Sequence, residues 1–166
     1  MLVTKLEDID INPILKEYNL IEQVLQWTDY GHKGKQVGLQ YKSNEDIWTS
    51  AVGRSQGNEH LYTNLNPFFR GTIFEKLINK YELKRTRLMW VGPYACYSMH
   101  VDETARLHIP LITNPECYFI FNNGEITNMP AGSVYIADTT HKHTFANCSP
   151  HSRLHLVGVT LKSYGL

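Results

Sequence analysis

The chain has 166 residues, and its 16 lysines and arginines balance its 16 aspartates and glutamates, which gives zero net charge with histidine neutral. This length is enough for one domain with its own hydrophobic core. The balanced charge argues against the basic surface of a nucleic-acid-binding protein and against an acidic tail. We find no leader-like start and no run of the ~20 apolar residues that span a bilayer, so we expect a cytoplasmic protein without membrane contact.

The three cysteines are Cys96, Cys117 and Cys148. They are scattered along the chain and form no C-x-x-C pair. This usage is typical of free thiols in a reducing compartment.

The first half of the chain reads as a mixture of short helices and strands. The residues Asp10-Ile11-Asn12-Pro13 predict a helix start, followed by a second short helix over residues 20–27. Residues 36–41 predict a strand, and residues 47–52 are the candidate for another. Residues 53–67 are polar and predict a long loop, which in a compact domain often belongs to a binding site.

A helix is predicted most clearly over residues 72–81. Phe74, Leu77, Ile78 and Tyr81 recur at the i, i+3, i+4, i+7 spacing of one amphipathic face. We expect that face to pack on a sheet.

From Arg85 onward the apolar period changes from helical to alternating, and Asn123-Gly124 predicts a hairpin. Many short strands separated by turns indicate an all-β barrel or jelly roll. The predicted strands cover residues 85–91, 95–101, 106–112, 117–121, 133–137, 142–147 and 153–161.

Two of these strands share the pattern Arg-Leu-His-apolar. Arg106 and His108 alternate with aliphatic residues on the first, and Arg153 and His155 do so on the second. On a strand, alternate side chains point to opposite faces. Each polar face is therefore either exposed or lines a polar interior, and finding the pattern twice favours the interior.

His100 and Asp102 are two residues apart, so an extended strand would place both side chains on one face. An imidazole and a carboxylate are two of the three ligands in the 2-His-1-carboxylate set that holds non-haem Fe(II). The pair therefore predicts the start of a metal site.

The candidates for the third ligand are His141, His143, His151 and His155, and periodicity does not separate His141 from His143. We select His143 because Arg153 follows ten residues later, enough to return on the adjacent antiparallel strand. A guanidinium there would pair with the distal carboxylate of 2-oxoglutarate. Zinc is compatible with the same ligands but does not account for Arg153.

Residues from about 88 to 159 resemble the aspartyl/asparaginyl β-hydroxylase family, and within it the bacterial free-proline cis-hydroxylase branch. The resemblance rests on His100-Val101-Asp102, on Arg106-Leu107-His108-Ile109-Pro110-Leu111 with Thr113-Asn114-Pro115, on Ala137-Asp138-Thr139-Thr140 with His143 and Asn147, and on Arg153-Leu154-His155-Leu156-Val157. Gly124-x5-Pro130-x-Gly132 also resembles a cupin motif, although its gap to His143 is longer than in simple cupins.

The resemblance implies a mainly β, double-stranded β-helix (cupin or jelly-roll) barrel with flanking N-terminal helices. We expect one domain over residues 1–166, with residues 1–84 flanking a core at residues 85–162. By resemblance, His100, Asp102 and His143 would bind Fe(II), and Arg153 would bind 2-oxoglutarate. His108 would lie near the cosubstrate, and Arg106 near the substrate or cosubstrate. Retention of Asp102 argues for hydroxylation over halogenation.

The implied activity is a dioxygenase reaction that uses Fe(II), 2-oxoglutarate and O₂, hydroxylates an unactivated C–H bond and releases succinate and CO₂. The substrate would be a free amino acid, a peptidyl side chain or another small metabolite, with Trp90, Tyr97 and Tyr118 as candidate pocket residues or core residues. The alternatives are a metal-binding cupin of another class, an isomerase or hydrolase, and a non-catalytic barrel that binds a small molecule or peptide.

Overall fold

A computed structural model describes residues 1–54, 57–162 and 164 of the chain. It contains two α-helices, α1 (Asn12–Ile21) and α2 (Ile73–Tyr81), with 3₁₀ turns at Glu22–Val24, Gly31–Lys33, Glu59–Leu61 and Pro67–Phe69. The strands are β1 (Val3–Asp8), β2 (Thr28–Asp29), β3 (Gly34–Gly38), β4 (Gln40–Tyr41), β5 (Asn64–Leu65), β6 (Lys84–Val91), β7 (Arg106–Ile112), β8 (Cys117–Phe121), β9 (Ile126–Thr127), β10 (Ser133–Ala137), β11 (His143–Asn147) and β12 (Arg153–Val159).

The strands form two antiparallel sheets that face each other. The large sheet has the order β1-β10-β7-β12-β6-β3-β2, and the small sheet has the order β11-β8-β9; β4 and β5 form a separate pair. Phe119, Phe121 and Phe145 of the small sheet pack against Val91 and Ala137 of the large one. This is the predicted mainly β architecture of a double-stranded β-helix.

The outer face of the large sheet is covered by the two helices. Leu154 and Leu156 of β12 share one core cluster with Phe74 and Leu77 of α2 and with Tyr18 of α1. Thr72 caps α2 through its side-chain oxygen, which accepts the Glu75 backbone N–H. The helix at residues 72–81 and its sheet-packing face are therefore confirmed.

Because helices cover one face of the large sheet and the small sheet covers the other, its central strands are buried on both sides. Arg106, His108, Arg153 and His155 are all buried on the inner face, while Leu154 and the other aliphatic residues of the repeated pattern point to the helices. The polar interior predicted from the repeated Arg-Leu-His pattern is confirmed.

Two of the expected elements differ in the structure, and one strand was not predicted. Residues 47–52 form turns, because the Asp46 side chain accepts the backbone N–H groups of Trp48 and Thr49 at 2.9 and 2.8 Å. The second helix is only the 3₁₀ turn Glu22–Val24, since α1 itself continues to Ile21. The sequence reading also missed β1, which forms an edge of the large sheet beside β10.

The predicted strand at residues 95–101 is also wrong as a regular element. In the described residues, its β-pairing with β11 is limited to isolated bridges at Cys96 and His100. Between them, the Ser98 carbonyl accepts a hydrogen bond from the His100 side chain, so it is not part of a ladder. Within the described residues, no helix has the length and apolar character to cross a membrane.

Candidate metal centre and its cavity

His100 and His143 lie directly opposite each other. Each donates its backbone N–H to the carbonyl of the other, both at 2.9 Å. Such a hydrogen-bonded antiparallel pair places both side chains on the same face. The two ring centroids are 4.4 Å apart, so β11 and the irregular segment before β7 together present two imidazoles to one point.

Both imidazoles are oriented by backbone carbonyls two residues upstream. The His100 Nδ1 lies 2.8 Å from the Ser98 oxygen, and the His143 Nδ1 lies 2.9 Å from the His141 oxygen. A carbonyl only accepts, so each Nδ1 carries the proton and each Nε2 keeps a free lone pair. Burial lowers the pKa of His143, which also favours its neutral, metal-binding form.

Asp102 completes a compact donor set. Its Oδ1 lies 4.0 Å from the His100 Nε2, and its Oδ2 lies 3.8 Å from the His143 Nε2. One ligand atom from each of the three residues lies within 4.8 Å of the others. Two imidazole nitrogens and one carboxylate oxygen are the ligand types of the 2-His-1-carboxylate facial triad.

Arg106 holds the Asp102 carboxylate at 3.2 Å. The same guanidinium makes a bidentate pair with the buried Glu59, at 2.8 and 2.7 Å, and also contacts the Thr104 hydroxyl. Arg85 donates at 2.8 Å to the Glu59 Oε1, an oxygen that also accepts from Arg106. A carboxylate from the long loop therefore fixes the arginine that orients one candidate metal ligand.

The pKa of Glu59 reflects this contact. Burial opposes its ionisation, but the charges of Arg106 and Arg85 and the hydrogen bonds from Arg106 and Thr104 outweigh burial, so the pKa lies below its usual value of 4.5. Glu59 is thus a buried, ionised carboxylate. Its single negative charge is shared by two arginine partners, and Arg106 has Asp102 as a second anion.

The donor set opens into a cavity of about 790 Å³ between the two sheets. Arg153 lines this cavity, and its side chain is almost completely buried. Its guanidinium carbon lies 3.5 Å from the centroid of the Phe145 ring, and its Nε has no hydrogen-bond partner. Among the described residues no carboxylate lies within 4.0 Å of it, so Arg153 is a buried cation that faces a cavity without an internal anion.

The prediction that Arg153 lies on the strand next to that of His143 is wrong. Its strand, β12, lies between β7 and β6 of the large sheet, whereas His143 is on β11 of the small sheet. The two strands are not adjacent, because the chain crosses from one sheet to the other between them. Arg153 therefore faces β11 across the interior, and burial lowers the pKa of its guanidinium to about 9.

Arg87 is a second arginine on the cavity wall. One of its terminal nitrogens donates to the Gln36 side-chain oxygen and to the Gly53 carbonyl, both at 3.3 Å. Its Nε has no partner, and burial lowers its pKa well below the usual value. Within the part of the chain that the structure describes, no carboxylate lies within 4.0 Å of it.

His108 and His155 form a neutral pair beneath the cavity. Their Nδ1 atoms are 3.5 Å apart, and neither Nε2 has a hydrogen-bond partner. Burial lowers the pKa of both rings well below the usual value. Only His108 reaches the cavity wall.

The structure brings the predicted residues His100, Asp102, His143, His108, Arg106 and Arg153 around one cavity. Arg106 is already engaged by Glu59 and Asp102, and its predicted contact with the substrate or cosubstrate remains a prediction. Tyr97 lines the cavity, whereas the Trp90 indole bonds to the Tyr18 hydroxyl at 3.0 Å and packs in the outer core, and Tyr118 is absent from the cavity wall.

The sequence reading missed Arg87 and Glu59. Arg87 had a signal, because it alternates with Arg85 on the predicted strand that begins at Arg85. Glu59 had none, since it lies in a polar loop where a glutamate is unremarkable.

A family model described as aspartyl/asparaginyl β-hydroxylase matches residues 13–160 of the chain. No match was found among curated proteins. Three solved structures show where the fold recurs, each at low identity.

An oxidoreductase of the 2OG-Fe(II) oxygenase family from Burkholderia pseudomallei is 14% identical, covers 95% of this chain and 84% of its own, and superposes with a TM-score of 0.58. A prolyl-4-hydroxylase from Pseudomonas putida is 10% identical, with 98% and 93% coverage and a TM-score of 0.54. The DMSP lyase DddQ from Ruegeria pomeroyi is 10% identical, with 99% and 80% coverage and a TM-score of 0.50. At these identities the likeness concerns the fold, which serves both oxygenase and lyase proteins.

Proposed function

The chain belongs to the aspartyl/asparaginyl β-hydroxylase family, and from this premise we propose that it is an Fe(II)- and 2-oxoglutarate-dependent dioxygenase. Its reaction would hydroxylate an unactivated C–H bond of a free amino acid or a peptidyl side chain and release succinate and CO₂. The substrate would be a small molecule or peptide rather than a nucleic acid, because the protein carries no net positive charge.

The observation that carries this proposal is that Arg153 is buried at the cavity with no internal anion among the described residues. A buried guanidinium without an internal anion is costly for a protein unless a ligand supplies the opposite charge. Arg153 lies in the same cavity as two imidazoles and a carboxylate that converge on one point. A dicarboxylate that binds a metal at one end and a guanidinium at the other fits both features.

In this proposal His100, Asp102 and His143 would hold Fe(II), and Arg153 would bind the distal carboxylate of 2-oxoglutarate. Iron held there would supply, with 2-oxoglutarate and O₂, the oxidising power for C–H hydroxylation. Arg106 keeps Asp102 in position, and the Ser98 and His141 carbonyls fix the two imidazole tautomers. Phe119 and Phe145 form an apolar wall that keeps water from this part of the cavity.

The test is to reconstitute the protein with Fe(II), 2-oxoglutarate and ascorbate and to measure succinate, with and without a panel of free amino acids (proline first) and short peptides. We expect succinate from wild type and a sharp loss in Asp102→Ala. The matched control is Asp10→Ala, which removes an exposed carboxylate outside the cavity.

Two results would contradict the proposal. One is wild-type protein that forms no succinate, coupled or uncoupled, and holds zinc tightly by metal analysis; a cupin of another class would then be favoured. The other is unchanged activity in Asp102→Ala, which would remove Asp102 from the ligand set.

A further inference from the structure

One buried histidine on the inner face of the large sheet has no part in the proposed reaction. His155 is only 1% exposed and lies two residues after Arg153 on β12. It does not line the cavity, whereas His108 on the neighbouring strand β7 does. Polar groups in a protein interior normally have hydrogen-bond partners, so the partners of His155 indicate what it does.

The contacts of His155 lead to His108. The two Nδ1 atoms are 3.5 Å apart, and among the described residues the His155 Nε2 has no hydrogen-bond partner. The His155 ring also meets the Phe145 ring in a T-shaped contact, with centroids 6.2 Å apart. His155 therefore contacts residues of the cavity wall without reaching the cavity itself, so it can act on a ligand only through them.

Both imidazoles of the pair are neutral. Burial, and after it the charge of Arg153, lowers the pKa of each ring well below the usual value of 6.5. A neutral imidazole has one N–H group and one nitrogen with a free lone pair. Because two facing lone pairs repel each other, as do two facing N–H groups, the contact between the two Nδ1 atoms needs one donor and one acceptor. The two rings are therefore opposite tautomers.

The surroundings of the two Nε2 atoms decide which ring is the donor. The His155 Nε2 is enclosed by protein and has no acceptor among the described residues. His108 lies on the cavity wall with its Nδ1 turned to His155, so its Nε2 is the nitrogen left to meet a ligand. A buried N–H group without an acceptor is rare in proteins. The tautomer that avoids one has the N–H on the His108 Nε2, where a ligand oxygen can accept it, and makes His155 the donor through Nδ1.

We propose that His155 is a positioning residue that holds His108 in one tautomer. The His155 Nδ1–H donates to the His108 Nδ1, and the His108 Nε2–H is thereby kept available for an anion bound in the cavity. The identity of that anion rests on the proposed function, in which it is 2-oxoglutarate. A separation of 3.5 Å is long for a hydrogen bond, so we expect its effect on the tautomer and not on the stability of the fold.

The experiment observes the two tautomers directly. The full chain is labelled with ¹⁵N, loaded with diamagnetic Zn(II) and studied without 2-oxoglutarate by long-range ¹H–¹⁵N NMR, which separates protonated from unprotonated ring nitrogens. His155→Leu removes the donor, and His155→Asn keeps an amide that can donate from nearly the same place. His108→Gln assigns the His108 signals. His151→Leu is the matched control, an exposed histidine outside the cavity.

The second readout is the affinity for 2-oxoglutarate. It is measured by isothermal titration calorimetry on the same chains loaded with Mn(II), a redox-inert substitute for Fe(II). If His108 populates both tautomers, only the fraction with a protonated Nε2 is ready to bind, so the affinity of His155→Leu should fall about 2- to 10-fold.

In wild type we expect His108 to have an unprotonated Nδ1 and a protonated Nε2, and His155 to have the reverse. His108 should populate both tautomers in His155→Leu. His155→Asn should restore the single tautomer and most of the affinity for 2-oxoglutarate, and His151→Leu should change neither.

Several results would overturn the positioning role. The reverse assignment in wild type, or an imidazolium at either ring, does so without any variant, even if His155→Leu fails to fold. A His155→Leu protein whose His108 keeps its single tautomer does so as well, and a loss of affinity in that protein would then come from packing. Mixed tautomers in His155→Leu with wild-type affinity would overturn the action on the ligand.

If wild type does not bind 2-oxoglutarate, the proposed function fails. The pair is then judged by NMR alone, since those spectra are recorded without the cosubstrate. A His108 tautomer that depends on His155 supports the positioning role, and one that does not depend on it overturns that role.

Discussion

Four buried arginines face one cavity, and they fall into two kinds. Arg85 and Arg106 share the Glu59 carboxylate at 2.8 Å and 2.7 Å, whereas Arg87 and Arg153 have no carboxylate within 4.0 Å among the described residues. All four are similarly buried. The difference between them lies therefore in their partners and not in their exposure.

This comparison separates residues that build the site from residues that are positioned for ligands. A buried charge with an internal partner contributes to the folded state, and losing the partner leaves a desolvated charge behind. A buried charge without a partner destabilises the protein alone and gains its opposite charge only when a ligand binds. Removing the internal partner should therefore lower the stability of the unliganded protein, whereas removing an arginine without a partner should not.

The largest effect is expected from Glu59→Gln. The change leaves Arg85 buried without an anion and Arg106 with Asp102 alone, so the free energy of unfolding should fall by about 3–5 kcal/mol. Urea denaturation of the unliganded protein measures it. Glu116→Gln, an exposed glutamate in the turn before β8, should stay within about 0.5 kcal/mol of wild type. An equally small change for Glu59→Gln would mean that the paired arginines do not depend on it.

Arg153→Gln should weaken 2-oxoglutarate binding by about 2–5 kcal/mol, because it removes a buried charge that pairs with a ligand carboxylate. Calorimetry on the Mn(II)-loaded protein measures this loss. Arg153→Lys should bind with intermediate affinity, since an ammonium keeps the charge but not the bidentate geometry. Wild-type affinity in Arg153→Gln would exclude this arginine from the cosubstrate site.

The same Arg153→Gln variant provides the opposite half of the comparison. Without ligand it should be at least as stable as wild type in urea, because it removes an uncompensated buried charge. A loss as large as that of Glu59→Gln would show that Arg153 has an internal partner in solution, and the division into two kinds would then be wrong.

Arg106→Lys tests whether the paired arginines serve the metal ligands. A lysine keeps the charge near Glu59 but loses the fork that reaches both Glu59 and Asp102, so affinity for Mn(II) should fall about 10- to 100-fold. Competition with a chelator measures the affinity. Arg85→Lys is the matched control, since Arg85 touches Glu59 but not Asp102. Equal losses in the two variants would assign the effect to Glu59 and not to Asp102.

The smallest effect concerns acid stability. The folded state lowers the pKa of Glu59, so its stabilising contribution is complete above the unfolded value and is lost as the pH falls below 4.5 and through the folded pKa. Wild type should therefore lose its stability advantage over Glu59→Gln in that acidic range. Urea denaturation at a series of pH values gives the difference, and a constant difference would show that Glu59 is not ionised at neutral pH.

The sequence was sufficient to predict local structure where the periodicity of apolar and polar residues decides which face of an element is buried. Alternating Arg and His on β7 and β12 predicted a polar inner face, and the apolar stripe of α2 predicted its packing face, because strand and helix periods assign faces directly. It was insufficient where a side chain competes with the backbone. The Asp46 side chain accepts backbone N–H groups and stabilises turns where a strand was predicted. The His100 imidazole bonds to the Ser98 carbonyl, which therefore does not take part in strand pairing.

The sequence by itself determined the types of residue at the candidate site: two histidines and an aspartate at strand spacing, followed by an arginine. The tertiary structure alone decided the partners of the charges. It brought Glu59, from a loop 47 residues away, onto Arg106, placed Arg153 across the cavity from His143, and left Arg87 without an anion among the described residues. Charge pairing depends on distances between distant segments, and no local pattern encodes those distances.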